Sequence, residues 1–140
     1  MDIHREIITK NAQETKDVGE RLAGERPKIV CLYGELGSGK TTFSQGFAKG
    51  LGITKRLLSP TFIIVRRYDL PRNFFLYHID LYRIQTIAQM EVLGLPEIFV
   101  DPFTCVIIEW AQRLEGLLPK SRIDIYFSVF EDGKHKISIR

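Results

Sequence analysis

At 140 residues, 44% hydrophobic and 26% charged, the chain is long enough to bury a core and too apolar to be disordered. Its formal net charge of +3 is too slight to dictate a nucleic-acid or acidic partner. No apolar run approaches the ~18 residues of a membrane span, and charges at Asp2, Arg5, Glu6 and Lys10 interrupt any signal-peptide core. One cytoplasmic domain over 1–140 is therefore expected.

In chain order, Asn11-Ala-Gln-Glu14 has the form of a capping box, Asn as N-cap and Glu at N3. Val18 and Leu22 then give an apolar stripe to a helix ending near Gly24. The run KIVCLY (28–33) predicts a buried strand that breaks at Gly34. Phe43, Phe47, Ala48 and Leu51 recur at helical spacing, punctuated by Gly50 and Gly52. Ser59-Pro60-Thr61 reads as a rigid loop entering a strand over 62–68, and Pro71-Arg72-Asn73 as a turn into a second strand, FFLYHIDL. Thr86-Ile-Ala-Gln89 is another capping box, opening a short helix with Met90 and Leu93 inward and Gly94 as its stop. Pro96 to Phe99 suggests a further helical turn. TCVIIEW (104–110), apolar until Glu109, fits a central strand covered on both faces. Residues 123–130 and 136–139 alternate around Asp132-Gly133, a hairpin pair. Cys31 and Cys105 fall inside these apolar runs without zinc spacing and read as buried thiols. The order of elements implies an α/β layered fold with a P-loop NTPase-like, mostly parallel central sheet. A hairpin cannot join parallel strands, so the sheet is mixed.

The chemistry is densest at Gly34-Glu35-Leu36-Gly37-Ser38-Gly39-Lys40-Thr41, which matches G-x-x-x-x-G-K-[ST] without a gap. Its four fixed positions arise by chance in a chain this long at about half a per cent. The glycines let backbone N–H groups turn inward at phosphate oxygens, Lys40 brings a compact cation, and the Thr41 hydroxyl is a hard ligand for Mg²⁺. A helix beginning here adds its positive end to the same anion. This segment predicts nucleotide binding.

Two acids end apolar strands, Asp80 in LYHID and Glu109 in CVIIE, where the ligand edge of an open α/β sheet lies. Either is a candidate for placing metal or attacking water; each is also a common solvated strand end. Thr61 is a candidate switch threonine or an ordinary turn residue. His78 shares a strand face with Asp80 and reads as a partly buried residue holding that strand end by a hydrogen bond rather than as a catalytic base. Trp110 fits core or rim. Arg66, Arg67, Arg72 and Arg83 read as a solvated face or a partner-facing patch.

The P-loop, SPTF (59–62), HIDLYR (78–83), Glu91-x-x-Gly94-Leu95-x-Glu97 and IIEW (107–110) form an ordered set over nearly the whole chain. That set resembles the TsaE (YjeE/YdiB) family of small bacterial ATPases needed for threonylcarbamoyladenosine in tRNA. The resemblance implies ATP and Mg²⁺ as ligands, with Glu35, Leu36, Gly37, Ser38, Gly39, Lys40, Thr41 and Thr42 around the phosphates. It implies that Ser59 and Thr61 belong to a switch loop, that Asp80 is the essential acid near the γ-phosphate, and that Glu109, beside Trp110, is a second acid associated with Mg²⁺. An arginine common after the last hairpin glycine in that family is Lys134 here, which keeps charge but loses the planar fork. The implied activity is a slow ATPase that resets the TsaD–TsaB transferase complex between turnovers. The rival readings are a metabolite kinase, for which no obvious lid insertion exists, and a non-catalytic nucleotide-dependent assembly subunit. A GTPase is disfavoured because N-K-x-D is missing.

Overall fold

A computed structural model of the chain describes residues 5–54 and 65–140. The elements are β1 (Arg5–Thr9), α1 (Ala12–Ala23), β2 (Ile29–Tyr33), α2 (Lys40–Gly50), β3 (Val65–Leu70), β4 (Phe74–Asp80), α3 (Ile87–Val92), α4 (Leu95–Val100), β5 (Thr104–Glu109), β6 (Ile123–Val129) and β7 (His135–Ile139). The strands form one seven-stranded sheet in the order β1-β7-β6-β2-β5-β4-β3. Its centre is parallel (β6/β2, β2/β5 and β5/β4), whereas the β3/β4, β6/β7 and β1/β7 pairs are antiparallel. The expected mixed α/β sheet is what the chain forms, with two hairpins instead of one.

Strand β1 is an addition to the sequence reading. Its charges, Arg5 and Glu6, masked a five-residue strand that pairs with β7. Only the part of the expected 62–68 strand from Val65 onward falls among the described residues, and it continues to Leu70.

The IVCLY run of β2 lies between two cores, and alternation sends its side chains to both. Val30 and Leu32 join Phe43, Phe47, Val18 and Leu22 beneath α1 and α2. Ile29 and Cys31 face Ile79, Ile108, Met90, Leu95 and Phe99 on the side of α3 and α4. Helices α1 and α2 pack backbone to backbone: a Cβ at Gly19 would stand 2.3 Å from the Phe43 carbonyl oxygen, and one at Gly46 2.0 Å from that of Lys16. This approach seats the amino end of α1 beside the loop that opens α2.

The caps follow the sequence with one change. Asn11 accepts from the Glu14 N–H at 2.9 Å, but the Glu14 carboxylate returns to the Lys10 N–H, one residue earlier than a capping box requires. The Thr86–Gln89 box closes in both directions. Cys31 and Cys105 are free thiols; burial pushes both up to about 12, and Cys105 donates to the Pro27 carbonyl at 3.2 Å. Among the described residues no helix is long and apolar enough to cross a membrane.

Candidate functional site

The parallel strands β2, β5 and β4 bring their carboxyl ends to one edge, where an open α/β sheet accommodates ligands. Beyond β2 the chain turns through Gly34 (φ 151°), Gly37 (φ 76°) and Gly39 (φ 107°), then enters α2 at Lys40. Gly39 is the N-cap in the left-handed region, where a β-carbon is strained. Among the described residues no side chain caps this helix start. Its first-turn amides, which lack intrahelical acceptors, are thus presented to whatever occupies the cleft.

That cleft has a volume of about 450 Å³. Leu36, Gly37, Gly39, Lys40, Thr41 and Thr42 line it from the loop and α2, and Asp80 and Glu109 from the ends of β4 and β5. Tyr82, Arg83 and Trp110 close one side; Ala12, Thr15 and His135 close the other. The loop and both acids singled out in the sequence thus meet at one cavity, and Trp110, left open between core and rim, stands at its rim.

Lys40 is 5% exposed, and its ammonium donates to the Gly34 carbonyl and, at 2.9 Å, to that of Glu35. Its Nζ also lies 4.3 Å from the centre of the Trp110 ring. Burial lowers its pKa, while Glu109, Asp80 and Glu35 oppose that shift. Trp110 itself takes φ 60°, a left-handed conformation rare for a bulky residue and costing roughly 1–3 kcal/mol, which turns the chain at the cleft rim.

Glu109 is 2% exposed and sits in a side-chain network. Its Oε1 accepts from the Thr41 hydroxyl at 2.9 Å and its Oε2 lies 2.5 Å from His78 Nε2. The Ser44 hydroxyl is committed to the Lys40 carbonyl at 2.9 Å and approaches Oε2 only at 3.5 Å. Asp80, paired with Glu109 in the β4/β5 register, is half-buried and accepts the Tyr82 N–H at 3.0 Å. Burial raises its pKa; the Tyr82 bond opposes this, the Glu109 charge adds to it, and His78 and Lys40 lower it.

A magnesium ion fits these donors. Thr41 and Glu109 offer hard oxygens side by side, the ligand type Mg²⁺ prefers. Among the described residues no group of three or more His, Cys, Asp or Glu side chains could hold a metal alone. An ion here would share its coordination with ligand phosphates and water, its usual manner in phosphate sites.

Other expected positions stand apart. The Glu35 and Ser38 side chains are not part of the cleft wall, although the Glu35 carbonyl holds Lys40 and the Ser38 carbonyl faces His135 Nδ1 at 2.7 Å. Lys134 is exposed outside the cleft lining, its ammonium 3.5 Å from Asp132. Ser59 and Thr61 lie outside the described residues. Arg83 lines the cleft, whereas Arg72 sits in the turn at the opposite end of the β3/β4 hairpin and Arg67 stacks on Phe75 at 4.7 Å. The four arginines therefore do not form one patch. Tyr82, Thr15 and His135 were missed. Tyr82 lies inside HIDLYR and was within reach of the sequence, but only the packing of α1 and the closing hairpin brings Thr15 and His135 to the loop.

Comparison with known proteins gives a consistent result. The family model described as "Threonylcarbamoyl adenosine biosynthesis protein TsaE" matches residues 9–137. The chain is 41% identical over 135 residues to the tRNA threonylcarbamoyladenosine biosynthesis protein TsaE of Bacillus subtilis (strain 168), covering 93% of this chain and 81% of that protein. It is 34% identical over 134 residues to the protein of the same description from Treponema pallidum (strain Nichols), covering 94% and 97%. A crystal structure of YdiB from Bacillus subtilis superposes with a TM-score of 0.81 at 33% identity, covering 99% of this chain and 86% of that one. The chain belongs to the TsaE family.

Proposed function

We propose that this protein binds ATP with Mg²⁺ in the cleft, hydrolyses it slowly, and serves tRNA threonylcarbamoyladenosine biosynthesis by resetting the TsaD–TsaB transferase complex between turnovers. One observation carries the nucleotide reading: a complete phosphate loop, its lysine, its threonine and two strand-end acids converge on a single cleft. In this reading the loop amides and Lys40 take the β- and γ-phosphates. Thr41 and Glu109 hold the Mg²⁺, whose charge would offset that developing on the transferring phosphoryl group. Asp80, half-buried on the cleft wall, orients the attacking water. Thr61 is assigned to the switch loop, and tRNA is engaged through the complex. Work on tRNA implies a cytoplasmic location.

The deciding experiment is a steady-state assay at saturating ATP with the TsaD–TsaB complex titrated in. Slow basal release of phosphate is expected, rising by ~10³-fold or more if the complex supplies a missing transition-state charge in trans. Lys40→Ala should abolish both rates. Fast hydrolysis that the complex leaves unchanged would overturn the accessory role and favour a metabolite kinase.

A further inference from the structure

His78 is the one fully buried histidine described, and its surroundings explain why it is there. Its face of β4 is shared with Leu76 in the core and Asp80 at the cleft, so it stands between the two. Nδ1 has no partner among the described residues, which leaves Nε2 with a single bond, to Glu109. A polar ring without exposure carries a desolvation cost that an apolar side chain of similar size would avoid. Its one evident return is the orientation of that carboxylate.

We propose that His78 is a positioning residue for the cation of the nucleotide site, acting through Glu109 on Thr41. The inference rests on the Mg²⁺·ATP reading given above. A carboxylate only accepts, so Nε2 is the donor, and it pins Oε2. The remaining oxygen, Oε1, is thereby held where the Thr41 hydroxyl donates to it at 2.9 Å. A hydroxyl whose hydrogen is committed has fixed lone pairs, and here they are left to face the cleft that Thr41 lines. Ser44 is a poor substitute for His78, because its hydroxyl donates to the Lys40 carbonyl at 2.9 Å and lies 3.5 Å from Oε2. Without His78 the carboxylate keeps only Thr41 and the long Ser44 approach, and the metal-facing oxygen of Thr41 is aimed less firmly. Partners one bond removed from a metal ligand commonly matter this much.

The test uses Trp110, the chain's single tryptophan, as a fluorescent reporter at the cleft rim. Mg²⁺ is titrated into full-length protein saturated with adenylyl-imidodiphosphate, which is not hydrolysed. His78→Leu should raise the Mg²⁺ midpoint about tenfold, while His78→Gln, whose amide can donate from near the Nε2 position, should stay within about threefold of wild type. Affinity for the same nucleotide in EDTA should be unchanged in both. An unaltered midpoint in His78→Leu overturns the proposal. So does equal impairment of the folded Leu and Gln variants, which would make the role one of packing, or an equal loss of affinity in EDTA. If His78→Leu loses its cooperative melt, His78→Asn replaces it: too short to reach Glu109, it should behave unlike Gln, and identical midpoints overturn the proposal. A wild type without any Mg²⁺ response would overturn the nucleotide-site reading together with this one. A normal wild type with unaffected variants overturns this one alone.

Discussion

The carboxyl ends of β4 and β5 carry acids in register with each other, yet the two are held in opposite ways. Glu109 is enclosed, with one oxygen on His78 and the other on Thr41. Asp80 is half-buried and has one backbone N–H on one oxygen. In sequence the two look alike, each an acid closing an apolar strand. The difference lies in neighbours: β5 is central and lies across from α2, whereas β4 gives way to an open turn at Leu81 and Tyr82. An enclosed carboxylate suits a fixed task such as holding a ligand. A half-buried one on the cleft wall suits a task in which a proton or a water moves.

The largest effect that contrast predicts is on turnover. Asp80→Asn keeps the shape and can still accept the Tyr82 N–H through its amide oxygen, but loses the charge and basicity facing the cleft. Hydrolysis should fall by ~10²–10⁴-fold with ATP affinity nearly unchanged, as read by single-turnover phosphate release and calorimetry. Turnover within a fewfold of wild type would place Asp80 outside the chemistry and dissolve the division of labour.

Next in size is a stability effect that should belong to Glu109. Glu109→Ala leaves His78 buried with neither nitrogen paired among the described residues, a loss of about 1–3 kcal/mol. Chemical denaturation without nucleotide should show that loss, and Asp80→Ala should show much less of it. Equal losses would mean that enclosure does not distinguish the two acids.

How far this was legible in the sequence follows the same division. The phosphate loop, both acids and the central strands are local patterns, so residues 34–42, Asp80 and Glu109 could be read directly. The α/β order and the mixed sheet followed from the run KIVCLY, the capping boxes and the Asp132-Gly133 turn. What could not be read depends on packing between distant segments. Strand β1 exists because β7 offers it an edge, not because Arg5-Glu6-Ile7-Ile8-Thr9 looks like a strand. His135 reaches the loop only once the last hairpin folds back beside β2. His78 was read as a partly buried residue holding its strand end by a hydrogen bond; it is fully buried, and its partner is on the neighbouring strand.

The smallest effect sharpens the comparison through pH. Burial, with the Glu109 charge adding to it, holds the Asp80 carboxyl above the usual range, against the Tyr82 bond and the charges of His78 and Lys40. In the unfolded chain an aspartate titrates near ~3.9. Between that value and the raised one, the folded protein binds the Asp80 proton more tightly than the unfolded chain does. Its contribution to stability is therefore fully present below pH ~4 and is lost as pH rises through the folded value. Asp80→Asn has no such titration. The stability of wild type minus that of Asp80→Asn should accordingly decline as pH rises above ~4 and level off once Asp80 is ionised in the folded protein as well. The step should be smaller than the Glu109→Ala loss, because Asp80 is only half-buried. Urea unfolding of both proteins at several pH values, without nucleotide or magnesium, measures the difference directly. A difference that stays flat, or one that grows with pH, would show that burial does not disfavour the Asp80 charge, and this reading of the β4 strand end would fail.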